Sequence, residues 1–199
     1  MINILERSFP TQVVGDILAN HLRVVEADDE LYKNAQACVL NAISAAETYT
    51  NRTLVDSLAT ISFDKIESRV IELPTAPIRE IIELRYYGMD GEWHTIEDYN
   101  LVSNAQRAML ELREMPVIDT TRMLDVFEID ARVGFEDIAV STPPSTTYPM
   151  PGDIIAALML MSATLLENPA DNMTGTIASE LPLNARMLLS PYRITPYGL

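Results

Sequence analysis

The chain is poor in the residues that most chemistry needs. Its 199 residues include one cysteine, Cys38, two histidines and seven glycines. One thiol cannot form an intrachain disulfide, so the fold must rest on its apolar core, as suits a reducing compartment. Cys38 sits in an alanine-rich helical pattern with no His or Lys at helical spacing, which reads as a small buried thiol rather than a reactive one. Among so few glycines there is no loop of the kind whose backbone amides cradle phosphate, and no Cys-x-x-Cys or His-Glu-x-x-His pattern occurs. Neither His21 nor His94 has a Ser or Cys nucleophile placed beside it, so both read as structural or solvated histidines.

Positive charge is scarce as well. Fourteen Lys and Arg face twenty-nine Asp and Glu, a net charge of −15. That balance argues against nucleic-acid binding, which needs cations to displace phosphate counterions, and against adhesion to an anionic membrane surface. It permits a surface past which DNA slides without sticking. The longest charge-free apolar stretch, Ile154 to Leu166, falls short of the roughly 20 residues that span a bilayer. It reads as a helix buried on most sides. The opening Met1–Arg7 has no long apolar segment and no small-residue cleavage site, so no secretory signal is expected there.

What is present is a sizeable core. Hydrophobic residues make up 48% of the chain, enough for one domain, or one domain with a substantial insertion. A first helix is expected from Thr11 to about Asn20, capped by Thr11, with Val13, Val14, Ile17 and Leu18 as its apolar stripe. A longer second helix comes next. Asp28, Asp29 and Glu30 complement its dipole, Leu31, Ala35, Cys38, Ala42, Ala45 and Tyr49 recur at helical spacing, and it ends near Asn51-Arg52. A helix N-terminus accounts for the acidic triplet without a metal, since its spacing is not that of a calcium loop.

From Thr53 to about Phe135 the period changes to two. Ile82, Leu84 and Tyr86 alternate with Glu83, Arg85 and Tyr87, and Met89-Asp90-Gly91 then signals a turn before Trp93. Ala108, Leu110 and Leu112 alternate with polar and mixed neighbours, as do Phe127, Ile129, Ala131 and Val133, the pattern of half-buried antiparallel strands. In a strand, the adjacent pairs Glu97-Asp98 and Glu136-Asp137 would point to opposite faces and converge on no substrate, an objection that weakens if they lie in loops. Asp137 to Gly152, rich in proline, reads as a long loop. A third helix runs from about Asp153 to Glu167, with Met159 and Met161 as core packing. An irregular stretch, Asn168 to Ser179, leads to a short helix that opens near Pro182 and stops at Pro191. The aromatic-basic arm Tyr192 to Leu199 ends the chain.

The expected fold class is therefore α+β: a bundle of N- and C-terminal α-helices (residues 1–52 and 150–199, with a C-terminal arm) and an inserted antiparallel β subdomain (53–149, with its Pro-rich loop). No catalytic, cofactor or metal site is read from the residues. The candidate partner-binding residues are Tyr192, Arg193, Ile194, Tyr197 and Leu199, in an arm that gains order by docking.

The order of these elements resembles the head-tail connector proteins of tailed bacteriophages, also called adaptors or head-completion proteins. The resemblance is carried by Leu22-Arg23-Val24 with Asp28-Asp29, by Ala46-Glu47-Thr48-Tyr49-Thr50-Asn51-Arg52 and by Ile71-Glu72-Leu73-Pro74 with Pro77-Ile78. The strand Ile81 to Tyr86, Asp90-Gly91, Tyr99-Asn100-Leu101, Met150-Pro151 and Leu188-Leu189-Ser190-Pro191-Tyr192-Arg193 complete it. Two features depart from the family's pattern: Leu166-Glu167-Asn168-Pro169 stops the third helix early, and the stretch Val126 to Asp137 is this chain's own.

The resemblance implies a non-enzymatic structural virion protein at the head-tail interface, present in host cytoplasm during assembly. About a dozen copies would form a ring through head-to-tail contacts, beneath the portal protein. The ring would extend the DNA channel without binding DNA specifically and would dock the next neck or tail protein. A charge reversal such as Asp130→Lys, if lumen-facing, would then slow genome ejection. The alternatives are a stopper or tail-completion protein of the same neck, or a non-catalytic acidic interaction module.

Overall fold

The protein is described by a computed structural model over residues 1–24, 29–119, 121–137, 148–168 and 181–194. The fold is α+β, with helices at both ends of the chain and antiparallel sheets between them. Strand β1 (Ile2–Arg7) comes first. Helix α1 (Thr11–Asp16) continues into a π-helical turn (Ile17–Leu22) that Arg23 ends with a left-handed backbone, φ 56°. Helix α2 (Asp29–Thr50) stops where Asn51 turns left-handed, φ 53°. Seven strands come next: β2 (Ser57–Phe63), β3 (Val70–Glu72), β4 (Ile78–Tyr87), β5 (Trp93–Thr95), β6 (Tyr99–Ser103), β7 (Ala108–Leu112) and β8 (Phe127–Val133). Helix α3 (Gly152–Glu167) and the short α4 (Leu183–Leu189), which runs into a 3₁₀ turn (Ser190–Tyr192), close the described chain.

The strands form a five-stranded sheet, β1-β2-β8-β4-β5, and a three-stranded sheet, β3-β7-β6, and every ladder is antiparallel. The two sheets share one apolar core. Ala59 and Ile61 of β2, Leu84 of β4 and Ile129 and Ala131 of β8 meet Ile71 of β3 and Leu110 and Leu112 of β7. Period-two patterning places these residues on the inner faces. A second core belongs to the helices. Ala35, Val39, Ala42 and Ala46 of α2 pack with Val14 and Ile17, with Ile154 and Leu158 of α3 and with Ala185 and Leu189 of α4. The small α2 side chains let the helices approach closely. Leu54, Val55 and Phe135, from the ends of the sheet, enter this helical core and tie the two cores together.

Several details differ from the expected pattern. Residues 2–7, grouped with the helical part in the expected division of the chain, form an edge strand paired to β2. Thr11 does not cap α1, for its hydroxyl donates back to Phe9 O at 3.2 Å. The cap comes from Asp137, whose carboxylate accepts from the N–H groups of Gln12 and Val13 at 3.0–3.1 Å. Leu31 stays largely exposed instead of joining the buried α2 stripe. In β4 the expected face Ile82, Leu84, Tyr86 is broken. Irregularities near Arg79 and Ile82 shift the register, so Ile81 packs on the core while Ile82 points to solvent. Gly134, φ 87°, sits where a Cβ would collide with the Val55 carbonyl oxygen. Only glycine lets the chain pass there from β8 into the helical core. The loop expected over 137–152 lies outside the described residues from 138 to 147, as does the irregular stretch from 169 to 179.

Candidate assembly surfaces

Titratable side chains of the chain are engaged in holding the fold. On the outer face of the five-stranded sheet, Arg79 pairs with Asp56 and lies 3.7 Å from Glu136. Arg132 reaches the same Asp56 at 3.4 Å. Arg85 joins Glu128 at 2.7 Å and Glu83 at 3.1 Å. Asp130 accepts from Thr60 Oγ1 at 2.5 Å and lies 3.8 Å from Arg85. It is therefore a half-buried member of a ladder, and its reversal to Lys would test folding before it tested a channel wall. Glu136 and Asp137 do part company, one toward Arg79 and the other onto α1. Among the described residues no group of three or more His, Cys, Asp or Glu is placed to hold a metal ion. Cys38 is buried in the helical core. No helix among the described residues is long and apolar enough to cross a membrane.

Three surface features remain. The first is the end of the β4–β5 hairpin. Gly91, φ 81°, makes the turn. His94 Nε2 lies 2.9 Å from the Asp90 carboxylate, and that hydrogen bond, together with a weaker one from the Glu92 amide, holds the Asp90 carboxyl below its usual range. The Arg122 guanidinium stacks on Tyr87 at 4.4 Å and on Trp93 at 4.9 Å. Around this stack Met89, Val117, Met123 and Leu124 are all more than half exposed, Val117 at 72% and Met123 at 84%. The groove beside it, about 640 Å³, is lined by Tyr86, Ile96, Met115 and Val117 together with Glu97, Asp98, Arg113 and Glu114.

The second feature is α4 with the 3₁₀ turn at its end. Ala185 and Leu189 are buried, whereas Leu183 (71% exposed) and Met187 (66%) form the opposite face. Arg186 and Arg193 both lie over the Tyr49 ring, at 6.0 and 5.6 Å. Tyr192 is buried in the helical core. Burial, and then the neighbouring Asp153 carboxylate, pushes its phenol upward. Ile194 donates its N–H to Thr50 O at 2.8 Å. Of the five candidate arm residues, Tyr192 and Ile194 thus anchor to their own chain and Arg193 is exposed. Tyr197 and Leu199 lie outside the described residues.

The third feature is a groove of about 270 Å³ between the β1–α1 connection and α2, lined by Arg7, Ser8, Phe9, Pro10, Leu40, Ile43, Ser44 and Val55. No local sequence signal marks this groove or the hairpin stack. Both depend on segments that meet only in the folded chain.

These surfaces belong to an α+β protein. No protein-family model matches the chain, and no curated protein matches it. Three solved structures share its fold across 98% of this chain and 96% of their own. A chain in the virion of a native gene transfer agent (GTA) particle is 20% identical with a TM-score of 0.69. A chain in the neck of an empty GTA particle, computed with C6 symmetry, is 22% identical with a TM-score of 0.71. A chain in the neck of a native GTA particle, computed with C12 symmetry, is 22% identical with a TM-score of 0.64.

Proposed function

We propose that this chain is a structural, non-enzymatic neck component of a phage-like particle, acting as a head-tail connector. Copies of it form a ring beneath the portal, extend the DNA channel and dock the next neck or tail protein. The observation that carries this reading is the likeness, end to end on both sides, to chains in the necks of GTA particles. The cyclic symmetry of those necks supports a ring. The engagement of charged groups in structural ladders, with apolar side chains left exposed at the hairpin end and on α4, suits a protein that works by contact. A net charge of −15 per copy lets DNA pass without being held. The arm from Thr195 onward is assigned to an adjacent subunit or the portal, and the methionine-rich hairpin end to the downstream protein. Deleting the gene in its host particle tests this. Heads are expected to fill but not join tails, with necks that end at the portal. Tailed particles of normal yield and infectivity or transfer would overturn it.

A further inference from the structure

A ring closed by rotation uses two different faces of each subunit, one to give and one to receive. We infer that the giving face is the exposed, basic side of α4, and that it seats in the acidic groove between the β5–β6 connection and residues 113–117 of a second copy. This inference rests on the ring reading above and adds the residues that make its subunit contact.

Charge selects the pair. Helix α4 and the 3₁₀ turn after it contain no acidic residue. Arg186 and, just beyond the turn, Arg193 are both exposed, and both lie over the Tyr49 ring rather than on a carboxylate. Asp153, the acid that reaches this segment, lies against the Tyr192 phenol. The groove has the opposite sign. Glu97, Asp98 and Glu114 line it, all exposed, and its lining holds a single base, Arg113, already 3.0 Å from Asp98. Glu97 and Glu114 make no ion pair among the described residues. Two cations with no acid of their own thus face two acids with no cation of their own, which sets the register and direction of the contact.

Shape agrees. Leu183 and Met187 are four residues apart, so their exposed side chains stand together as one apolar ridge beside Arg186. Tyr86 and Ile96, half-buried against the core between the sheets, floor the groove, and Met115 and Val117 are exposed at its side. At about 640 Å³ the groove matches the size of small-molecule sites and has room for both ridge side chains. The ridge stands on the helical core and the groove opens on the core of the sheets. They are separate patches of one subunit, as a head-to-tail contact requires. The hairpin tip, with Met89 and Met123, lies outside this contact and stays with the downstream protein.

The test uses full-length protein assembled alone or on portal rings. Arg186→Glu with Arg193→Glu, and separately Glu97→Arg with Glu114→Arg, are each expected to weaken ring assembly at least about tenfold, and the four changes together to restore it to within about threefold of wild type. The two double variants shift net charge in opposite directions, so a bulk charge effect would move assembly in opposite senses and would overturn the contact. In parallel, Val117→Cys and Met187→Cys are combined with the buried Cys38 retained. A short bifunctional thiol crosslinker is expected to give a ladder of multimers on a denaturing gel, and either single variant none. Rings that tolerate both double reversals, a fourfold variant that is not rescued, or crosslinking that stops at two copies would overturn this contact and leave the ring reading standing. A wild-type chain that forms no ring with or without portal would overturn both.

Discussion

Arg52 shows how much of this fold is held by a single buried cation. It lies just past the end of α2, is 5% exposed, and donates to three backbone carbonyls: Ala76 at 3.1 Å, Ala105 at 2.5 Å and Gln106 at 3.0 Å. It thereby joins the helical core to the loops of the three-stranded sheet. Burial pushes its pKa down to about 10, and the nearby Tyr192 acts in the opposite direction. A base with a lowered folded pKa gives up its proton first in the folded state. Its burial cost is therefore relieved only as pH rises past about 10. Between pH 5 and 9 the guanidinium is charged in both states. Replacing Arg52 by Met leaves three carbonyls without their donor and is expected to cost about 2–4 kcal/mol. That loss should be constant from pH 5 to 9 in urea melts. A loss that varied strongly across this window would mean that the charge state is misassigned. Nothing local in the sequence announces this role. Arg52 reads as the polar end of a helix, and its acceptors lie 24 to 54 residues away. The same holds for Asp137, whose helix-capping role spans 125 residues.

Elements with long, regular periodicity were legible. The stripe Ala35, Cys38, Ala42, Ala45 of α2 and the alternation in β7 and β8 predict faces that the structure buries as expected. Where regularity fails, so does legibility. Two register shifts turn Ile82 outward in β4, and an extra residue per turn after Asp16 makes the π-helical segment. Strand β1 shows almost no buried side chain of its own and exists because β2 offers it an edge. The C-terminal segment gives the sharpest prediction at this scale. A cut after Ser190 would remove Tyr192 from the helical core and the Ile194–Thr50 bond. A cut after Ile194 keeps both. The shorter truncation, lacking 195–199, is expected to melt like the full chain yet to fail in joining the portal. The longer one, lacking 191–199, should also lower the melting temperature by several degrees. Thermal melts with co-sedimentation on portal rings read both. A 1–194 protein that binds portal normally would remove the arm from the contact.

At the scale of the whole molecule, the two cores divide the labour. The helical core gathers α2, α3 and α4 with Tyr192, while the β4–β5 hairpin belongs to the sheets and contributes nothing to that core. The α+β class was readable from the sequence because period 3.6 and period two occupy different stretches of the chain. Two of the three candidate assembly surfaces were not, because the groove and the hairpin stack are built from segments that only folding brings together, as Phe9 with Leu40 or Arg122 with Trp93. An acidic chain with apolar side chains left in the open is poised between solubility and association, a balance that the proposed ring would resolve. The most direct measurement is light scattering on a sizing column, with the purified chain alone and mixed with portal rings, and negative-stain images of the largest peak. A closed ring, or a portal complex extended by one cyclic layer of this chain, is the expected result. A monomer that ignores the portal under every mixing condition would contradict the connector reading.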